Sequence, residues 1–591
     1  MASLQADISS EKYDTKKIIA PNYSNNILSG LNKLHCELLL HDVTLIAEGK
    51  QFESHRCVLA ACSDYFKAMF TGGMKESVER EVELKGITAK GLQDVLQFVY
   101  EGEIELSMGN IQDILSTTTH LQVTPCINVC SRFLENEVEI DNCLLIYQMA
   151  QTFHLLSVQN VTYNFLMENF KEVSKLEEFL QLPFSDLQGF LSSNDICGCT
   201  ELDLFEIAAE WIRHGGEDRL QYATQLMENI RFPLMKPFDL AHRVRTIDFM
   251  TEDANCMKLL LEAFTYQSMP FHQHLQQNTR TQLRTSEETL VTLGGYKGKP
   301  SEKMMAYCGQ GKHVELTSMQ MGVYYHNVTV MDGYLYCVGG QNVKDTAGKE
   351  AVSAAFRYDP RFNEWMKIAS LQEPRCRFHL SALDGKLYAV GGKNARGQVN
   401  TVECYTPCEN RWVCVAPLDE PRNAHAGSTF GHELFVSGGW SNGRYTDCLQ
   451  CYSPATNTWE TKSSMHTRRG WHGMCTVINM LYVMGGNHLN NNGDRVDVMT
   501  VEGYNPLTDQ WAVLCSLMTP HSETILSVVN NKIYIAGGYS WNAQGKTDRI
   551  ERYDPQTNKW EIVGQLQQKM NGLACCSLKL PKAITEIPEQ Q

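Results

Sequence analysis

Apolar positions along the chain change period twice, and each change marks a new kind of structure. Between residues 21 and 135, Ile27, Leu28, Leu31, Leu34 and Leu38 recur at helical spacing and predict an amphipathic helix whose apolar face needs a partner. "DVTLIAEGKQF" then alternates through Val43, Leu45 and Ala47 into Glu48-Gly49, the pattern of a β-hairpin. One helix carrying Val58, Leu59, Cys62, Phe66, Met69 and Phe70 on one side is expected next. Strand-like "EVELKG" and helical "GLQDVLQFVYEGEIEL" and "NIQDILSTTTHLQV" complete a compact mixed region. From about 136 to 270 the alternation disappears; Leu204, Phe205, Ala208, Trp211 and Ile212 keep a helical period and predict a bundle. Polar "HQHLQQNTRTQLRTSEE" (272–288) reads as a linker, placed at 271–289.

Beyond residue 290 short alternating strands return, each ending in a glycine pair. The pairs fall at 294/295, 339/340, 391/392, 438/439, 485/486 and 537/538, so six units repeat at intervals of 45 to 52 residues. A period near 50 with four strand-sized segments per unit predicts a six-bladed β-propeller of the kelch type. Glycine at the end of each inner strand lets the backbone turn tightly where the blades crowd the channel. Tyr358/Trp365, Tyr405/Trp412, Tyr452/Trp459, Tyr504/Trp511 and Tyr553/Trp560 repeat at one spacing and are expected to pack between blades, whereas the first unit has Tyr307 and Val314. The first glycine strand has only polar chain before it, and "NGLACCSLKLP" at the far end supplies the missing neighbour. The C-terminal strand is therefore expected to complete blade one and remove the open edges. The propeller is placed at 290–581, with a disordered tail over 582–591.

Composition removes whole classes of function. A chain of 591 residues exceeds what one core supports, and three folded regions are expected. No apolar run approaches the roughly 20 residues of a membrane span. Residues 1–20 lack both an apolar signal core and an Arg-rich presequence, and are expected to be disordered. A cytoplasmic address follows, with nuclear or cytoskeletal placement open. A net charge of −16 without a basic stripe argues against nucleic acid. The 21 cysteines are scattered at irregular spacings and read as reduced, mostly buried thiols; "CINVC", "CGC" and "CC" lack zinc-site spacing, so no metal or cofactor is expected.

"HDVTLIAEGKQFESHRCVLAACSDYFKAMFTGGMKES" resembles the BTB (POZ) domain over nearly its whole length, and the helical region, with "NIRFPLM" and "RTIDFM", looks like the BACK domain. With six kelch units behind them, the chain resembles the Kelch-like family, whose members are substrate adaptors of cullin-3 ubiquitin ligases. The resemblance implies an α/β BTB (POZ) domain at 21–135, an all-helical BACK domain at 136–270 and the six-bladed kelch β-propeller. It further implies a homodimer in which the first helix packs on its twin, giving Ile27, Leu28 and Leu31 a partner. Asp42 and Arg56 match the family's buried charged pair near that interface; a pair that only stabilises the fold is the alternative. The family's hydrophobic-x-Glu cullin motif is matched by Met74, Lys75 and Glu76 in "GGMKE", where Met74 would fill an apolar slot and Glu76 an orienting hydrogen bond. "DNCLLIYQMAQTFHLL" matches the segment that extends the cullin groove in the family. Where the redox-sensing member carries a reactive cysteine, this chain has Gln112, so electrophile sensing is not implied.

Aligning the six units gives columns. One, Val323, Arg375, Arg422, Arg469 and His521, reads as repeat-linked structural pairing. Two residues on, Tyr325, Arg377, Ala424, Trp471 and Glu523 vary in chemistry, as does the post-glycine column of Tyr296, Gln341, Lys393, Trp440, Asn487 and Tyr539. Varied loop positions rich in aromatics and arginine suit recognition, so Tyr296, Tyr325, Arg377, Lys393, Trp440, Trp471, Asn487, Glu523 and Tyr539 are the candidate substrate contacts. The expected function is that of a non-enzymatic adaptor joining cullin-3 to a protein substrate. The alternative is an actin- or cytoskeleton-associated kelch scaffold without a ligase role. An oxidase is disfavoured, because no His, Tyr and Cys constellation falls in columns at the channel mouth.

Overall fold

The computed structural model describes residues 23–73, 75–285, 287–345 and 347–585. The expected disordered start (1–20) and most of the expected tail lie outside them. The chain divides into two compact units, Met1–Phe179 and Leu180–Gln591.

In the first unit, helix α1 (Tyr23–Cys36) precedes the hairpin of β1 (Val43–Ala47) and β2 (Lys50–Ser54), and β3 (Glu81–Glu83) joins β1 in parallel. The turn places Glu48 and Gly49 at φ 49° and 75°, the left-handed pair that a two-residue hairpin requires. The single helix expected after the hairpin is two, α2 (Arg56–Cys62) and α3 (Asp64–Thr71). Ser63 leaves the helical region between them, and its hydroxyl accepts the Phe66 N–H as the cap of α3. Helix α4 (Ala89–Glu101) stops at Gly102, φ 76°, so "EIEL" is not helical as expected. One core holds Val43, Leu45, Leu92, Val95 and Ile111 and runs on through Ile146, Ala150 and Val158. Residue 135 is therefore no packing boundary.

The second unit begins with helices, the longest being Glu201–Gly215 and Ala254–Ser268. The stretch expected as a solvated linker is instead anchored. Arg284 pairs with Glu201 at 2.7 Å and donates to the carbonyls of Leu191, Ser193 and Asn229. Gln273 is buried, and its Oε1 accepts from Tyr334 and Arg357 of blade two, each at 2.9 Å. Tyr266 meets the Tyr334 hydroxyl at 2.9 Å. The polar residues that suggested solvent exposure are the ones with buried partners.

Six four-stranded antiparallel sheets make the propeller. The last strand, Asn571–Lys579, pairs with Glu288–Tyr296 and becomes the inner strand of blade one, as the missing neighbour required. Tyrosine and tryptophan of each repeated pair face each other across the two outer strands, with ring centroids 5.0–5.1 Å apart. Each tyrosine hydroxyl donates to an Asn or Asp five residues on, as Tyr452 does to Asn457 at 2.8 Å. Asn457 also accepts the Ala416 N–H at 2.9 Å, and the Trp459 indole donates to the Ala416 carbonyl at 2.9 Å. Both polar groups of one residue in the preceding blade are thus clamped by the next. Blade one, without the tryptophan, reaches blade six through Tyr307 to the Val563 carbonyl and His313 to the Gln565 carbonyl.

Candidate functional site: the loop face around the propeller channel

The glycine pairs end the second strand of each blade rather than the innermost one, at positive φ, as at Gly391 (57°) and Gly392 (109°), because a Cβ on Gly392 would stand 2.7 Å from Phe378 Cβ and 2.8 Å from the Cys376 carbonyl. The turn they make delivers the loops to one end of the channel. There Tyr325, Arg377, Ala424, Trp471, Glu523 and Gly572 all take left-handed φ, between 52° and 65°. Each backbone N–H donates to the carbonyl of its counterpart in the preceding blade at 2.8–3.0 Å, and Tyr325 N donates to the Gly572 carbonyl. The variable column of the sequence is therefore a closed belt of six backbone hydrogen bonds around the axis.

Side chains of the belt collect at the mouth. The Arg377 guanidinium lies 5.0 Å from the Tyr325 ring centroid and 5.1 Å from that of Trp471, and the two rings are 5.1 Å apart. Tyr325 donates its hydroxyl to Glu523 at 2.8 Å, and burial first, then the Glu523 charge, pushes that hydroxyl well above the ordinary tyrosine range. Glu523 also accepts from Asn571 and is buried, so it serves the belt rather than an exposed surface. Asn487, expected at the surface, has no exposed area; Tyr445 donates to its Oδ1 at 2.6 Å. Gln341 is likewise fully buried, and the other four post-glycine residues are half-exposed. Tyr296 carries Lys546 over its ring at 4.8 Å, Trp440 packs edge-on against Tyr445, Tyr539 does so against Trp541, and Lys393 bridges to Cys376.

The post-glycine loops expose Lys297, Lys299, Lys303, Lys344, Lys349, Arg396, Arg444 and Arg495 against Glu302, Glu350 and Asp494. Two further carboxylates are turned inward: Asp345 accepts the N–H groups of Ala347, Lys349 and Glu350, and Asp497 those of Trp541 and Asn542. Asp447 and Asp548 of the same loops are half-exposed, Asp447 paired with Arg468, so the fully exposed charges of the post-glycine loops are mostly cationic.

Below the belt the channel is lined by His326, His425 and His472, all buried, which the sequence reading missed. They stand one residue after the aligned column, a position that Phe378, Thr524 and Leu573 occupy in the other units. Burial holds His326 down at about 3, and His425 and His472 well below the ordinary value.

In the first unit, Ile27 is exposed at 48% and Leu28 is half-buried, while Leu31 packs against the core, so among the described residues the apolar face of α1 is only partly covered. The charged pair expected to be buried is arranged otherwise: Asp42 is exposed, its carboxylate accepts the Arg56 backbone N–H at 2.8 Å, and Arg56 Nε donates to the Asp42 carbonyl. The Arg56 guanidinium instead holds the turn after α3, donating to the carbonyls of Glu76, Ser77 and Glu79. Lys75 and Glu76 lie in that turn, Lys75 paired with Glu79 at 2.8 Å, whereas Met74 lies outside the described residues.

The BTB/POZ domain family matches residues 31–138, and the family described as BTB And C-terminal Kelch matches 143–245. The KLHDC2/KLHL20/DRC7 Kelch-repeats domain matches 325–520 and the Kelch motif 526–567. Kelch-like protein 9 of Mus musculus is 50% identical over 570 residues, covering 95% of this chain and 92% of that protein. Kelch-like protein 13 of Homo sapiens is 49% identical over 597 residues (100% and 91%) and Kelch-like protein 26 of Danio rerio 38% over 574 (96% and 95%). Among the described residues no helix is long and apolar enough to cross a membrane.

Proposed function

The chain belongs to the Kelch-like family of BTB, BACK and kelch proteins, which are generally cullin-3 adaptors, and from that premise we propose that it is the substrate-recognition adaptor of a cullin-3 RING ubiquitin ligase. One observation carries the reading: a single chain joins a BTB domain with a partly uncovered apolar helix face to a closed propeller that presents aromatic and cationic side chains on its loop face. Ile27, Leu28 and Leu31 form the dimer face, with Asp42 and Arg56 at its margin. Met74, Lys75 and Glu76 contact cullin-3; Arg56 supports Lys75 and Glu76 by fixing the turn these two occupy. Substrate, a protein segment, meets Tyr296, Arg377, Lys393, Trp440, Trp471 and Tyr539, with Tyr325 beneath them. The excess of outward cations favours an acidic segment with an apolar anchor. Two propellers per dimer raise avidity for bivalent targets.

The test is co-precipitation of cullin-3 with the full chain and with the Met74→Ala/Glu76→Ala variant. Wild type is expected to retain cullin-3 and the variant to lose it with its fold intact. Equal recovery with both would remove the motif assignment, and no recovery with wild type would remove the ligase reading.

A further inference from the structure

Three histidines of the first unit come together from separate places in the chain. His35 ends α1, His41 precedes β1, and His55 leads into α2, yet one ligand atom from each lies within 4.8 Å of the other two. His35 Nδ1 and His41 Nε2 are 3.1 Å apart, and the rings of His41 and His55 are centred 4.6 Å apart. Two imidazole nitrogens on one tetrahedral zinc ion stand roughly 3.3 Å apart, so the spacing is that of neighbouring ligands. We propose that His35, His41 and His55 form a binding site for a divalent transition metal of the zinc class.

Three features support it. Tyr100 holds two of the rings: it stacks on His35 with centroids 3.9 Å apart and 2° between planes, and its hydroxyl meets both the backbone N–H and Nδ1 of His55 at 2.9 Å. That is the arrangement of an orienting partner behind a metal ligand: Tyr100 occupies Nδ1 and leaves Nε2 as the ligand atom. His55 Nε2 lies 2.9 Å from the Leu39 carbonyl, which offers an oxygen beside the nitrogens. The chain also accepts disfavoured backbone to bring His41 back onto His35: Leu38 and Leu40 sit at φ 56° and 61° with side chains 70% and 78% exposed, so apolar burial does not account for the turn. A groove lined by Asn32, His35, Cys36, Leu38, Glu53 and Tyr100 gives access.

Without metal, one N–H bridges His35 to His41, and His55 Nε2–H donates to Leu39 while Nδ1 accepts from Tyr100. Binding requires only that the rings move these protons to their other nitrogens, where Tyr100 accepts the one on His55 Nδ1. An N-rich site suits zinc, and it would tie the end of α1 to the hairpin.

The test uses the full-length chain, stripped with a chelator and titrated with Co2+ and then Zn2+. Because 21 cysteines offer background sites, the comparison with variants decides. Wild type is expected to develop a four-coordinate cobalt absorption displaced by one equivalent of zinc. His35→Asn and His41→Asn, both at half-buried positions, should each weaken this step by roughly 100-fold, and Tyr100→Phe by roughly tenfold, with unchanged metal-free circular dichroism. Equal affinity in His41→Asn and wild type, or no cobalt signal in wild type beyond that of the His35→Asn/His41→Asn double variant, would overturn the site.

Discussion

Each channel histidine sits where burial disfavours the charged ring. Neither ring nitrogen of His326 meets a protein partner, and its value lies near 3 against an ordinary 6.5. A folded-state value below the unfolded one means that unfolding takes up protons in between, so stability is complete above about 6.5 and is lost as pH falls towards 3. His326→Leu, borrowing the residue that Leu573 supplies at the equivalent place, should flatten this dependence by about one proton near pH 5. Urea midpoints measured between about pH 4 and 6 report it; an unchanged slope would show that His326 is not held neutral. The histidines escaped the sequence because Phe378, Thr524 and Leu573 interrupt their column and no spacing marks the three as a set. Asn487 was misread for the opposite reason: its column is half-exposed in four other units, and the Tyr445 that buries it lies in the loop of the blade before. The variable belt, by contrast, was legible, since glycine pairs fix the alignment to the residue.

Between strands, the column of three arginines shows how one blade design tolerates different chemistry. Arg375 pairs with Glu403 at 2.6 Å and Arg469 with Glu502 at 2.5 Å, all four side chains fully buried. Arg422 meets Gln450, and His521 meets Glu551. Where the column holds Val323 the facing position is Phe356, and in blade one Met570 and Met305 occupy the two places. Polar answers polar and apolar answers apolar. Arg375→Met alone should therefore cost about 3–5 kcal/mol by leaving a buried carboxylate unpaired. Adding Glu403→Met should recover part of that loss, though not all, because Glu403 also accepts the N–H groups of Gln372 and Glu373. Denaturant unfolding of the two single variants and the double gives the coupling, and additive losses would refute it. The pairing was foreseen from repetition alone. The helix break at Ser63 and the stop at Gly102 were not, since both residues are compatible with helix until a cap or a turn competes for them.

Across the whole chain, closure of the ring was readable from a strand missing at one end and spare at the other. Removing residues from 571 onward should expose Glu288–Tyr296 as an open edge and cut the belt at Gly572, so the truncated chain is expected to aggregate and to lose protease resistance in its kelch part. A monodisperse, equally resistant product would contradict the closure. Composition misled about residues 271–289, because a polar stretch reads the same whether its partners are water or Arg357 and Glu201. The proposed dimer face and cullin turn rest on family resemblance: a partly uncovered apolar stripe on α1 asks for a partner without naming it. The most direct measurement is therefore light scattering on the full-length chain, alone and mixed with cullin-3. The account predicts a dimer that takes up two cullin-3 molecules, and a Met74→Ala/Glu76→Ala dimer that takes up none. A single-chain species, or a wild-type dimer that leaves cullin-3 free, would contradict it.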